Sequence, residues 1–202
     1  MSELEPIQKL ATAFARLPGV GRKSAARMAH RVARAPGTLA ADMQSAIQEV
    51  REHIVICEQC GSLTTKEYHP CTLCSDPSRD SALLCVVEDA ADILMIEQAG
   101  VFRGSYHALL GKLSPLKGEG LRNPRLVQLF DRVKEGGVRE IILALNSDVE
   151  SDATASFLQE QLEDYNVKVT HLAFGIPVGS GIAYSDPITL ARALQGRQEY
   201  EG

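Results

Sequence analysis

Four of the five cysteines stand in two short knuckles, Cys57-Glu58-Gln59-Cys60 and Cys71-Thr72-Leu73-Cys74, with ten residues between them. A CxxC knuckle can aim two thiolates at one ion, and two knuckles complete the tetrahedron that zinc adopts. The chain from 57 to 74 must then fold back on itself. Gly61 after the first knuckle and Pro70 before the second supply the turns. The gap is shorter than the usual zinc-ribbon spacing, so the loop is expected to be compact. Cysteines packed as small hydrophobes would not need this paired spacing, and a redox pair would open a helix after a strand. His69 is an alternative for one thiolate, while Cys85 lies in an apolar run and reads as core. The expectation is one structural Zn²⁺ per chain on Cys57, Cys60, Cys71 and Cys74. With all four positions filled, such an ion serves folding rather than catalysis.

The 202 residues, 45% hydrophobic and 23% charged, have an ordinary globular balance. The longest apolar runs, such as "IILAL" and "LLCVV", are far too short to cross a bilayer. The amino terminus "MSELEP" is acidic and has no apolar signal core, which points to the cytoplasm. The net charge of −5 is uneven: from Pro6 to Ala41 there are seven Lys or Arg and no Asp or Glu. A basic segment on an acidic protein points to a polyanion.

That basic segment has a helical grammar. Leu4, Ile7, Leu10, Ala11 and Phe14 recur at helical spacing and predict a helix over 3–16. "LPGVG" interrupts it, and a second helix runs over 22–35 up to Pro36-Gly37. Thr38 is placed to cap a third, with Leu39, Met43, Ile47, Val50 and Ile54 as its buried stripe. "LPGVGRKS" resembles a nucleotide phosphate loop, but Val20 alone separates Gly19 from Gly21, Arg22 precedes Lys23, and no strand enters. A hairpin between helices fits better. Gly19 and Gly21 permit the turn and expose N–H groups to a phosphate oxygen. On a 100° wheel Lys23, Arg27, His30 and Arg34 share one face with Arg31 at its edge; Ala25, Met28, Ala29 and Val32 face the other way. Nothing there reads base edges, so DNA binding through Gly19, Gly21, Lys23, Arg27, Arg31 and Arg34 is expected to be sequence-independent and salt-sensitive.

From Ser81 strands and helices alternate, which predicts a mostly parallel α/β sheet covered on both faces. The strands are read at "ALLCVVE", "SYHALLG", "EIILALN" and "KVTHLAF". Helices are read at 89–100, 124–135 and 152–165, with the loop "KLSPLKGEGLRNP" before the second of them. A Gly/Pro-rich stretch, "GIPVGSGIAYSDP", leads to a last short helix. "GIPVGSG" is read as an oligomer contact rather than a nucleotide loop.

Glu88 ends one strand and Asp92 follows a turn later; Asp148, Glu150 and Asp152 lie just beyond another. Functional groups in parallel α/β sheets gather beyond the carboxyl ends of strands. These acids could meet around Mg²⁺, or they could simply cap and charge the first turns of helices.

Together, "LPGVGRKSAARMAHR", the paired cysteines, "CVVE", "YHALLGKLSPLKG" and "GIPVGSGIAYSDPITLARAL" resemble the bacterial RecR family of recombination mediators, in the same order and over essentially the whole chain. The resemblance implies an α/β multidomain protein. Its parts would be a helix-hairpin-helix module (1–54), a four-cysteine zinc finger (55–78), a Toprim domain (79–174) and a carboxy-terminal segment (175–202). It implies recombinational DNA repair with RecO and RecF, loading of RecA on single-stranded DNA at gaps, and a homo-oligomeric ring, dimer to tetramer, that encircles DNA. The family's zinc ligands fall on the four cysteines, its DNA-contacting cations on Lys23 and Arg27, and its Toprim acids on Glu88, Glu150 and Asp152. One departure stands out: "NSDVESD" carries Ser147 and Ser151 where the family more often has proline and glycine. Toprim domains also occur in primases, topoisomerases and nucleases. A topoisomerase needs a second large domain for which there is no room, but an Mg²⁺-dependent nuclease or primase would need only the acids. The resemblance favours a non-catalytic clamp.

Overall fold

A computed structural model describes residues 4–35, 37–111, 123–173 and 175–198. Residues 112–122 of the loop read at 112–124, the strand end Phe174 and residue 3 of the opening helix lie outside them. The chain divides into two compact units at Val55/Ile56.

The first unit holds α1 (Glu5–Phe14), α2 (Arg22–Arg34) and α3 (Leu39–His53). Pro6 opens α1, where its missing N–H costs nothing. Leu17–Val20 form the hairpin: Gly19 has φ +76°, a left-handed value that favours glycine, and Val20 N–H donates to Leu17 O at 3.1 Å. Ala25 and Ala29 are buried, as the helical wheel predicts, because small residues let helices approach closely. Two expectations need correction. Thr38 offers no side-chain cap; its hydroxyl donates to Asp42 Oδ2 at 2.7 Å instead. Among the described residues the stripe of α3 is not covered as a whole: Ile47 and Val50 are each 59% exposed and Leu39 is also exposed, while Met43 and Ile54 are half-buried. Periodicity shows that a helix has an apolar face, but it does not show what covers that face.

The second unit is built on a four-stranded sheet in the order β4-β3-β5-β6, from β3 (Asp80–Val87), β4 (Gly104–Ala108), β5 (Glu140–Ala144) and β6 (Lys168–His171). Every pairing is parallel, as strand–helix alternation predicts. Side chains alternate across the sheet. Leu84, Val86, Ile141 and Leu143 point to one face, where Leu126, Leu129 and Val133 of α6 (Pro124–Lys134) and Leu158 and Leu162 of α7 (Val149–Leu162) cover them. Each such fully buried side chain contributes about 1.5–3 kcal/mol before entropic costs.

The other face is covered differently. Cys85, Val87, Tyr106 and Ala108 pack with Ile93 of α5 (Ala90–Ala99) and with Cys57, Cys60 and Cys71. The cysteine loop thus shares a core with the sheet. Cys85 is buried there, and burial pushes its thiol up to about 12. The loop itself contains β1 (Ile54–Ile56) and β2 (Leu63–Thr65), which form a two-stranded sheet, and the short α4 (Thr72–Ser75). α5 ends at Gly100 in the left-handed region. A 3₁₀ turn at Ile182–Tyr184 leads to α8 (Pro187–Gln195).

Near the start of β4, Arg79 and Glu97 form a partly buried pair at 2.5 Å, with Tyr106 Oη donating to Glu97 Oε1 at 2.5 Å. Gly104 is needed at that site for space. A Cβ there would lie 2.6 Å from Leu83 O and meet the Phe102 ring. Gly104→Ala is therefore expected to cost about 1–3 kcal/mol, read as a lower urea midpoint at an unchanged m-value.

Candidate metal centre and nucleic-acid interface

The four predicted ligands come together. The sulfurs of Cys57, Cys60, Cys71 and Cys74 all lie within 4.8 Å of one another. Cys57 Sγ is 3.9 Å from Cys74 Sγ, and Cys60 Sγ is 3.5 Å from Cys71 Sγ. A zinc tetrahedron with Zn–S near 2.3 Å needs S···S edges of about 3.8 Å, so the quartet fits such an ion. His69 stands apart, with Nε2 3.5 Å from Glu58 Oε2.

Local geometry explains the convergence. Gly61 N–H donates to Cys57 O at 2.8 Å and closes the first knuckle with Gly61 at φ +82°. In the second, Cys74 and Ser75 N–H both donate to Cys71 O at 3.0 Å, which makes Cys71 the cap of α4. The thiols do not ionise equally. Hydrogen bonding from Cys74, above all, holds Cys60 down to about 5, while burial pushes Cys71 up to about 11. Cys74 is also pushed up, chiefly by its bond to Cys60. One thiolate forms readily and its neighbours resist; a divalent cation supplies the charge that lets all four ionise.

The loop is fastened to the sheet by residues with no sequence signature. Ala108 N–H donates to Cys60 O at 2.7 Å. Arg125 Nε donates to Ala108 O at 2.8 Å, and its Nη1 donates to Glu58 O at 2.9 Å inside the first knuckle. His107 is wholly buried, and burial followed by the nearby Arg125 charge lowers its pKa to about 3. Its Nε2 lies 2.7 Å from Arg125 O. A carbonyl can only accept, so Nε2 carries the proton of this neutral imidazole.

Two of the acids take the capping role weighed for them. Asp92 caps: it accepts from Asp89 N–H at 2.9 Å in a capping box. Asp148 caps α7, accepting from Glu150 and Ser151 N–H at 3.1 Å. α7 starts at Val149, three residues before the predicted 152, because Asp148 is so good a cap; Glu150 and Asp152 thus lie in its first turn. Glu88 is only 5% exposed. It accepts from Asn146 N–H at 3.0 Å, from Asn146 Nδ2 at 2.7 Å and from the buried Ser151 hydroxyl. Asp152 Oδ2 meets Arg192 Nη2 of α8 at 2.9 Å. Among the described residues, the cysteine quartet is the group of three or more candidate ligands close enough for a metal, and Glu88, Glu150 and Asp152 do not form one. Asp148 and Asp152 instead border a cavity of about 780 Å³ against the segment holding Gly175, Pro177 and Tyr184.

In the first unit Lys23, Arg27, His30, Arg31 and Arg34 are all exposed along α2. Arg27 Nη2 leans on Ser24 Oγ at 3.3 Å. Gly21 is the N-cap, with an ordinary φ of −72°. A Cβ there would meet nothing within 4 Å among the described residues, so nothing in the described chain requires glycine at that position.

Known sequences decide the relationship. A RecR helix-hairpin-helix model matches residues 7–51, a Toprim domain model 82–173 and a RecR carboxy-terminal model 175–198. Recombination protein RecR of Moorella thermoacetica is 46% identical over 197 residues, covering 98% of each chain. That of Desulforudis audaxviator is 46% identical over 193 residues and 96% of each chain. That of Myxococcus xanthus is 43% identical over 195 residues, 96% of this chain and 98% of the relative.

The chain belongs to the RecR family.

The family assignment agrees with the α/β multidomain fold read from the sequence. Among the described residues no helix is long and apolar enough to cross a membrane. Ser151, one of the two departures from the family's usual loop, is the residue whose hydroxyl reaches Glu88. Ser151→Ala removes one of the donors to a buried carboxylate and is expected to cost about 1–3 kcal/mol, measured by urea unfolding. Ser147→Ala, at an exposed position, serves as the neutral control.

Proposed function

We propose that this protein is a non-catalytic recombination mediator in recombinational DNA repair. It binds DNA, single- or double-stranded, without reading sequence. By family resemblance it works in the cytoplasm with RecO and RecF to help load RecA onto single-stranded DNA at gaps. It assembles with copies of itself into a ring, dimer to tetramer, with the parts 1–54, 55–78, 79–174 and 175–202 dividing the work. The observation that carries DNA binding is the α2 face. Five exposed basic side chains line α2 in a segment, Pro6 to Ala41, that has no Asp or Glu, behind a hairpin where a Cβ on Gly21 would meet nothing within 4 Å among the described residues. A phosphate backbone is the partner that needs such room and such charge. Gly19, Gly21, Lys23, Arg27, Arg31 and Arg34 are the proposed contacts. The exposed stripe of α3 and the exposed apolar residues Val178 and Ile182 favour a protein that completes its surface with other copies. The carboxy-terminal glycine-rich segment is assigned to that contact.

Lys23→Ala combined with Arg27→Ala is expected to weaken binding to gapped DNA at least tenfold while leaving fold and assembly intact. Each lost phosphate contact also flattens the log–log salt slope by about 0.7–0.9. Fluorescence anisotropy across a salt series measures both, and unchanged affinity at low salt would reduce the basic helix to a solvated surface.

The cysteine quartet is proposed to hold one structural Zn²⁺. Chelation, or Cys60→Ser, is expected to lower the thermal midpoint of the second unit and to release one equivalent of metal by elemental analysis. A Toprim match keeps one rival in view, an Mg²⁺-dependent nuclease or primase using Glu88, Glu150 and Asp152. Glu88 is taken up by Asn146 and Ser151, and Asp152 by Arg192, which favours the scaffold. Incubation with Mg²⁺ and gapped DNA separates them: cleavage or synthesis abolished by Glu150→Gln would establish the enzyme.

A further inference from the structure

α6 carries two arginines seven residues apart, Arg125 and Arg132, so they lie two turns along one face of the helix. Asn123 fixes the first turn by accepting from Arg125 N–H at 2.8 Å. Neither guanidinium forms an ion pair with a carboxylate among the described residues. Arg125 ends on Ala108 O, Glu58 O and Gln128 Oε1, and Arg132 Nη1 ends on Tyr106 O at 2.7 Å. Both are partly buried. Arg132 has the Glu135 carboxylate nearby, whereas a cation held in from water without such a partner, as Arg125 is among the described residues, is costly.

For Arg125 the neighbours supply the missing charge. It grips the first knuckle between its two cysteines and packs against the knuckle's turn, where a Cβ added to Gly61 would lie 3.0 Å from Arg125 Nη2. Four thiolates around a divalent cation leave a net charge of about −2. We propose that Arg125 is a counter-charge of a tetrathiolate metal centre and that it positions the first knuckle on the sheet. Burial pulls its guanidinium down, and the nearby thiolates, Cys60 foremost, push it back up. Outer-shell partners of this kind hold first-shell ligands in place and commonly change metal affinity 10- to 100-fold. The inference rests on the metal reading above and extends it from the ligands to the helix that neutralises them.

The test uses the full chain loaded with zinc or cobalt(II). Arg125→Gln is expected to weaken metal binding about 10- to 100-fold, measured by competition with a chromogenic chelator. Arg125→Lys, which keeps the charge, is expected to recover most of the loss. A merely structural arginine would not sort variants by charge. A neutral variant that holds metal like the wild type, or a lysine variant as weak as the neutral one, overturns the proposal. Should the neutral variant fail to fold, the wild-type chain still decides. Its cobalt(II) charge-transfer spectrum must report four thiolates, and a count below four removes the charge that Arg125 is said to balance. A wild-type chain that takes up no metal sinks the metal reading itself, an outcome distinct from tight metal binding indifferent to Arg125.

Discussion

The second unit depends on the meeting of four sulfur atoms against one face of a parallel sheet. A parallel sheet needs cover on both sides. Here α6 and α7 cover one face, while on the other α5 shares the task with a loop of little secondary structure of its own. Such a loop has few ladder hydrogen bonds and would fray without a cross-link. The cysteine quartet gathers its two ends. Cys60 O and Arg125 then tie it to Ala108 at the end of β4. The sheet shapes the cysteine site, and the cysteine site completes the sheet's core.

The same strand ends determine what the acids can do. Glu88 leaves β3 just where β5 ends, and three donors from Asn146 and Ser151 hold its carboxylate in a nearly closed position. A carboxylate so placed joins β3, β5 and α7. Asp92 and Asp148 sit at helix starts, where each accepts from backbone N–H groups.

Much of this was legible in the sequence. Paired CxxC spacing is a strong statement because each knuckle is local, so the quartet needed one long-range closure to be right. Strand–helix alternation gave the parallel sheet for the same reason, since burial on both faces leaves continuous apolar runs such as "LLCVV". Helical periodicity placed α2 and its cationic face, but it misjudged part of the α3 stripe, where Leu39, Ile47 and Val50 stay exposed among the described residues. Boundaries moved where a single side chain outcompeted the pattern, as when Asp148 drew the start of α7 forward. Arg125, Arg132, His107 and Ser151 gave no sign of their roles. Each acts on a group at least 17 residues away in sequence, such as Arg125 on Ala108 or Ser151 on Glu88, and no local spacing encodes such a pairing.

The sequence alone determined which atoms could bind what: four thiols for a metal, a line of cations behind a glycine hairpin for a polyanion, and acids at strand ends. Only the tertiary structure decided which of these groups are free to act. Local chemistry fixes a side chain's capacity, but its availability depends on the neighbours that burial brings to it. Those neighbours buried Glu88 under Asn146 and Ser151, and set Arg125 against the first cysteine knuckle instead of in water.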